Sequence, residues 1–91
     1  MSTYKILPYS YKRAKALGVK IVPSKRGYKK IDVYSTTGKY ITSIGDRRYL
    51  DYPNYVNKYG KAYALNRRKL YKNRHRSNTG KAGFYAENIL W

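Results

Sequence analysis

The stretch Pro53 to Arg76, PNYVNKYGKAYALNRRKLYKNRHR, constrains the fold of this chain more than any other. Beyond Gly60 it holds no acidic residue, yet it carries Lys61, Arg67, Arg68, Lys69, Lys72, Arg74 and Arg76. Its apolar and aromatic residues recur at helical rather than strand spacing. At about 100° per residue, Tyr55, Val56, Tyr59, Ala62, Tyr63, Asn66 and Leu70 gather on one side. Lys58, Lys61, Arg68, Lys72, His75 and Arg76 fall on the other, with Leu65 as the misfit. A helix that buries one face and presents a cationic stripe on the other calls for a polyanion or a very acidic protein. Asp51 or Tyr52 followed by Pro53 makes a good helix start, because Pro suits the first helical position. A continuous helix from there to Arg74 is roughly 33 Å long at 1.5 Å per residue. Gly60 is its weak point, costing about 1 kcal/mol relative to Ala, and a bend there gives two shorter helices instead.

The remaining residues supply a scaffold for that element. The clearest strand signal is the alternation Lys30-Ile31-Asp32-Val33-Tyr34, a turn at Thr36-Thr37-Gly38, and a second alternation from Lys39 to Ile44. One face takes Ile31 and Val33 with Ile41, or with Tyr40 and Thr42 if the register slips by one; the turn does not decide between them. A lone hairpin is marginal in water, so Val19–Val22, ended by Pro23, is expected as a third strand under a covering helix. Residues 1–9 read as an extended lead-in, with Pro8 blocking helix. Ser10 is placed as the N-cap of a short helix from Tyr11 to Leu17 that Gly18 stops. Residues 46–52 are ambiguous between loop and helical turn, with Asp46 a turn residue and Asp51 a cap. Ser77 to Gly80 forms a break, and 82–91, AGFYAENILW, is a C-terminal docking segment. Its Phe84, Tyr85, Leu90 and Trp91 serve either as a plug on the core, which the burial energy of Trp favours, or as anchors into a partner. The expectation is a single α+β domain over 1–91. It has a small three-stranded antiparallel sheet, a short N-terminal helix, one long basic helix and a C-terminal aromatic segment.

Composition bounds the function. With 91 residues, the core is small. Thirteen tyrosines stand against one Phe and one Trp, so much of the apolar surface carries a hydroxyl. That mix suits thin layers and interfaces. Lys and Arg number 21 against 4 acids, a formal charge of +17. Such a density repels itself unless counter-charge is near. Nucleic-acid phosphate is the first candidate and an anionic membrane surface the next. The absence of Cys removes disulfide and Cys-based zinc frameworks. No apolar run approaches the ~20 residues of a membrane span. The N-terminus, MSTYKILPYSYKR, lacks the apolar core of a secretory signal.

Catalysis has little to work with. Asp32, Asp46, Asp51, Glu87 and His75 are scattered, without the clustered ligands that a metal centre needs. No enzyme activity, metal or cofactor is expected. TTGK at 36–39 lacks the full phosphate-loop pattern and reads as a hairpin turn. Phosphate contacts, by contrast, are well provided for. Lys58, Lys61, Arg67, Arg68, Lys69, Lys72, Arg74, His75 and Arg76 are the candidate nucleic-acid contacts, with Lys12 and Arg13 on the first helix and Lys25 and Arg26 in the loop after the Val19–Val22 strand. Nothing specifies base readout, so binding is expected to be sequence-independent and steeply salt-dependent, with DNA preferred to RNA.

The ordered set IDVYSTTGKYITSIGDRRYLDYPNY, GKAYALNRRKLYKNRHR and GFYAENILW resembles small basic proteins of unassigned function encoded by large double-stranded DNA viruses of algae and protists. The likeness covers about residues 18–91. It implies a viral setting, in the virion or inside the host cell (nucleus or cytoplasm), and a genome-associated role. It brings no functional residues to carry over. In such a setting the alternative is a minor capsid or cement protein seated against larger, acidic capsid subunits. An oligomer is also left open.

Overall fold

The computed structural model describes residues 4–75 and 80–91. Their order is α1 (Pro8–Leu17), β1 (Val19–Pro23), β2 (Ile31–Ser35), β3 (Tyr40–Ile44), α2 (Tyr52–Tyr59), α3 (Lys61–His75) and α4 (Lys81–Leu90). The fold is α+β, with one antiparallel sheet in the order β1-β2-β3. Ile31 pairs with Ile44 and Val33 with Thr42, and an irregularity after Val33 sets Tyr34 opposite Tyr40. Neither expected register holds throughout: Thr42 shares the face of Ile31 and Val33, as the slipped register has it, but Tyr40 falls on the opposite face with Tyr34. The irregularity leaves Ile41 without a partner of its own in that ladder, and its side chain packs on the core.

Alternation then divides the sheet. Ile21, Ile31, Val33 and Ile44 point to one face, where Ala14 of α1 and Ile89 and Leu90 of α4 complete the core. The other face is polar: Asp32 accepts from Ser43, whose hydroxyl also meets Tyr40, and Arg26 closes over them. Gly45 ends the hairpin at φ 81°, which favours glycine, and a Cβ there would meet Leu90 Cδ1 at 2.8 Å and Lys30 Cδ at 2.9 Å, so any other residue forces those side chains to shift.

Two local expectations are corrected at α1. Pro8 does not block the helix but opens it, since its missing N–H is one the first turn leaves unbonded anyway. Ser10 is not the cap. It lies inside α1, fully buried, and its hydroxyl donates to the Ile89 carbonyl at 2.9 Å, joining α1 to α4. Gly18 does stop the helix, in the left-handed conformation.

The long basic stretch is broken. α2 ends at Gly60, whose φ of 92° and ψ of 165° no helix accommodates, and α3 starts afresh at Lys61. One helix of groove length becomes an αα corner whose longer arm, α3, spans about 22 Å. Asp51 caps α2, accepting from the Asn54 backbone N–H at 3.2 Å, as its position before Pro53 suggests. Asp51 also joins the corner to the sheet. It accepts from the Lys30 ammonium at 2.8 Å, from the Tyr4 hydroxyl and from the Asn54 side chain. Lys30 and Asp51 side chains are only 4% and 0% exposed.

Candidate nucleic-acid interface

The break at Gly60 decides which side of α3 faces inward. The buried residues are Ala64 and Tyr71, with Arg67 and Arg68 partly covered beside them. Ala62, Tyr63, Asn66 and Leu70, expected against the core, are exposed instead, as is Leu65. A face drawn continuously from α2 into α3 fails because the non-helical Gly60 resets the phase between them. At about 100° per residue the outermost line of α3 is Ala62, Asn66, Lys69 and Asn73. The single stripe is therefore replaced by two flanks: Lys61 and Lys72 on one side, Arg67 and Arg74 on the other.

Arg68 turns inward. Its Nε donates to the Trp91 main-chain oxygen at 2.6 Å and its Nη2 to the Tyr9 hydroxyl at 2.7 Å. Its guanidinium lies 4.0 Å from the centre of the Tyr52 ring. One arginine thus gathers α1, α2, α3 and the end of α4. Arg13 spends its Nε on the Asn88 carbonyl at 2.7 Å. Arg26 pairs with Asp32 at 3.5 Å and covers the Tyr40 ring, and Lys72 pairs with Glu87 at 3.6 Å. Lys12, Lys25, Lys58, Lys61, Lys69 and Arg74 are exposed, and His75 stacks on Tyr71 at 4.2 Å. Arg76 lies outside the described residues.

Each acid of the chain is already committed to a cation. Asp32 meets Arg26, Asp46 meets Arg48 at 2.7 Å, Asp51 meets Lys30 and Glu87 meets Lys72. The Arg48 hydrogen bonds hold the Asp46 carboxyl down at about 2, well below the usual range. The exposed cations that remain are spread over α1, β1, the hairpin turn and α2 to α4, at Lys12, Lys15, Lys20, Lys39, Lys58, Lys61, Lys69 and Lys81 among others. Among the described residues no group of His, Asp or Glu is placed to hold a metal ion. None of their helices is long and apolar enough to cross a membrane.

The C-terminal docking segment is a helix, α4. Leu90 is buried in the core, and the Trp91 ring stacks on Tyr71 at 4.4 Å and 7° between planes. Tyr85 packs half-buried on the same core, while Phe84 stands 48% exposed. The plug thus describes Leu90, Tyr85 and Trp91, and Phe84 is the aromatic of the four left outward.

Between α3, α4 and the 44–50 segment lies a cleft of about 640 Å³. It brings together Arg67, Arg74 and His75 with Tyr55, Tyr71 and Trp91, all from predicted elements, and with Lys29 and Tyr49, which sequence spacing does not single out. Arg67 lies 5.4 Å from the Tyr55 ring centre, and its Nε is buried without a hydrogen-bond partner among the described residues. The Tyr71 hydroxyl is pushed above its ordinary range, first by burial and then by the Glu87 charge, so it remains a neutral donor. No family model matches this chain, and neither a curated protein nor a solved structure matches it.

Proposed function

We propose that this protein binds nucleic acid through its phosphates, without catalysis and without reading base sequence, and that DNA is its principal target. The observation that carries this is the charge arrangement: 21 cations to 4 acids, with every acid already paired with a cation of the same chain. The excess is not spent on ion-pair networks between surface residues, as it would be in a merely solvated basic shell. It lies on short elements around much of the molecule, which suits contact with a polyanion from several sides better than insertion of one helix into a groove. The resemblance to viral basic proteins adds a virion or genome-associated setting in the host cell.

A second assignment, as a minor capsid component against acidic capsid subunits, draws on Phe84, an exposed apolar ring one turn from Lys81 on α4. An electrophoretic shift with duplex DNA, single-stranded DNA and RNA separates the two. A DNA binder retards duplex at low micromolar concentration. A protein that shifts none of the three, yet stays in stoichiometric amount in DNA-depleted shells, is a capsid component.

A further inference from the structure

We propose that the cleft between α3 and α4 is a nucleotide pocket, taking one unpaired base against its aromatic wall and the attached phosphate on its arginines. This rests on the nucleic-acid function above and extends it from phosphate contact to recognition of unpaired nucleotides. The cleft volume of about 640 Å³ lies within the range of small-ligand sites. Its wall sets three aromatic rings and two arginines around one cavity. Trp91, Tyr71 and Tyr55 are engaged with one another and give a fixed apolar floor. Tyr49, on the rim, is 67% exposed, with the Arg48 guanidinium 5.9 Å from its ring centre, and offers ring surface to a base laid against that floor.

The polar side is equally directed. Arg67 lines the cleft beside the Tyr55 ring, so its guanidinium places positive charge at the aromatic wall. Arg74 and Lys29, both exposed, line the same cleft and supply further positive charge for the phosphate. The carboxylate in the wall, Asp46, is held by Arg48 through three hydrogen bonds of 2.7 to 3.3 Å, so its charge is largely answered before an anion arrives. A fully paired duplex offers the arginines phosphate but offers the rings nothing, since its bases are stacked away. Preference for single strands, ends or extruded bases follows.

Trp91 is the only tryptophan and lies in the cleft, so it reports directly on occupancy. The full chain is titrated with oligothymidylate, a strand of equal length without bases, a closed hairpin duplex and thymidine monophosphate, following Trp91 emission and, by anisotropy, the labelled oligonucleotides. Oligothymidylate should quench Trp91 and bind about tenfold tighter than the abasic strand. Tyr49→Ala, at an exposed ring, should abolish that difference. Arg74→Gln should weaken every oligonucleotide. Quenching by thymidine monophosphate with the affinity of the oligomer confirms the pocket and assigns it to free nucleotides. Equal binding of abasic and thymidylate strands with Trp91 unquenched overturns the pocket but leaves phosphate binding standing. If no nucleic acid binds, both fall.

Discussion

Replacing Asp51 by Ala removes the acceptor at the centre of a buried ionic contact. The carboxylate is fully buried and takes hydrogen bonds from Lys30, Tyr4, the Asn54 backbone and the Asn54 side chain. Without it the Lys30 ammonium, 4% exposed, has a charge and no counter-ion, a situation that costs about 3–5 kcal/mol. Loss of the α2 cap adds about 1 kcal/mol, though the two overlap because they share a residue. The expected total is about 4 kcal/mol, a large share of the roughly 5–14 kcal/mol available to 91 residues. Urea unfolding followed by Trp91 fluorescence measures it. Lys30→Met in the same background removes the orphaned charge, so the double variant should be more stable than the sum of the single changes predicts, by about 2 kcal/mol. An Asp51→Ala cost below about 1 kcal/mol, or strictly additive changes, would refute the idea that this pair binds the helical corner to the sheet.

Two further outcomes test the assignments of single residues. Burial, then the charge of Asp51, pushes the Tyr4 hydroxyl well above its ordinary range. The folded state therefore keeps a proton that the unfolded chain loses near pH ~10. The sign follows: the stability Tyr4 contributes is complete below that pH and is lost as pH rises toward the folded value. In urea midpoints between neutral pH and pH ~11, the wild-type advantage over Tyr4→Phe should hold steady and then shrink above pH ~10; a constant difference would contradict it. Arg68→Lys retains the charge but loses the fork to Trp91 and Tyr9 and the stack on Tyr52. It should cost about 2 kcal/mol in the same unfolding assay while DNA affinity at fixed salt stays within about twofold. The reverse pattern would make Arg68 a phosphate contact.

What the sequence made legible is what local chemistry decides. Alternation marked β2 and β3, Gly18 marked the end of α1, Asp51-Tyr52-Pro53 marked a helix start, and Gly60 marked the weak point of an expected long helix that the structure divides there. The faces of α3 were not legible, because a face can be projected along a helix only while its phase is continuous, and Gly60 interrupts it. Long-range chemistry was hidden for a related reason. Tyr4 and Lys30 reach Asp51 across 47 and 21 positions, and Ser10 reaches Ile89 across 79. A serine beside a helix start reads as a cap from neighbours alone; only α4, arriving from the far end of the chain, gives its hydroxyl another acceptor. The cleft was half legible. Its basic and aromatic residues from 55 to 91 stood out by type, whereas Lys29 and Tyr49 enter it from connections flanking the hairpin.

The central claim is that phosphate charge drives binding, and its most direct test is the salt dependence of duplex DNA affinity. If four to six cations meet phosphates, the logarithm of the binding constant should fall linearly with the logarithm of salt concentration, with a slope of about −4 to −5. Removing both Lys61 and Lys69, exposed on α3, as Lys→Gln should lessen that slope by up to about 2 without altering unfolding. A binding constant that does not change with salt, or no duplex binding at low salt, would contradict the proposed function.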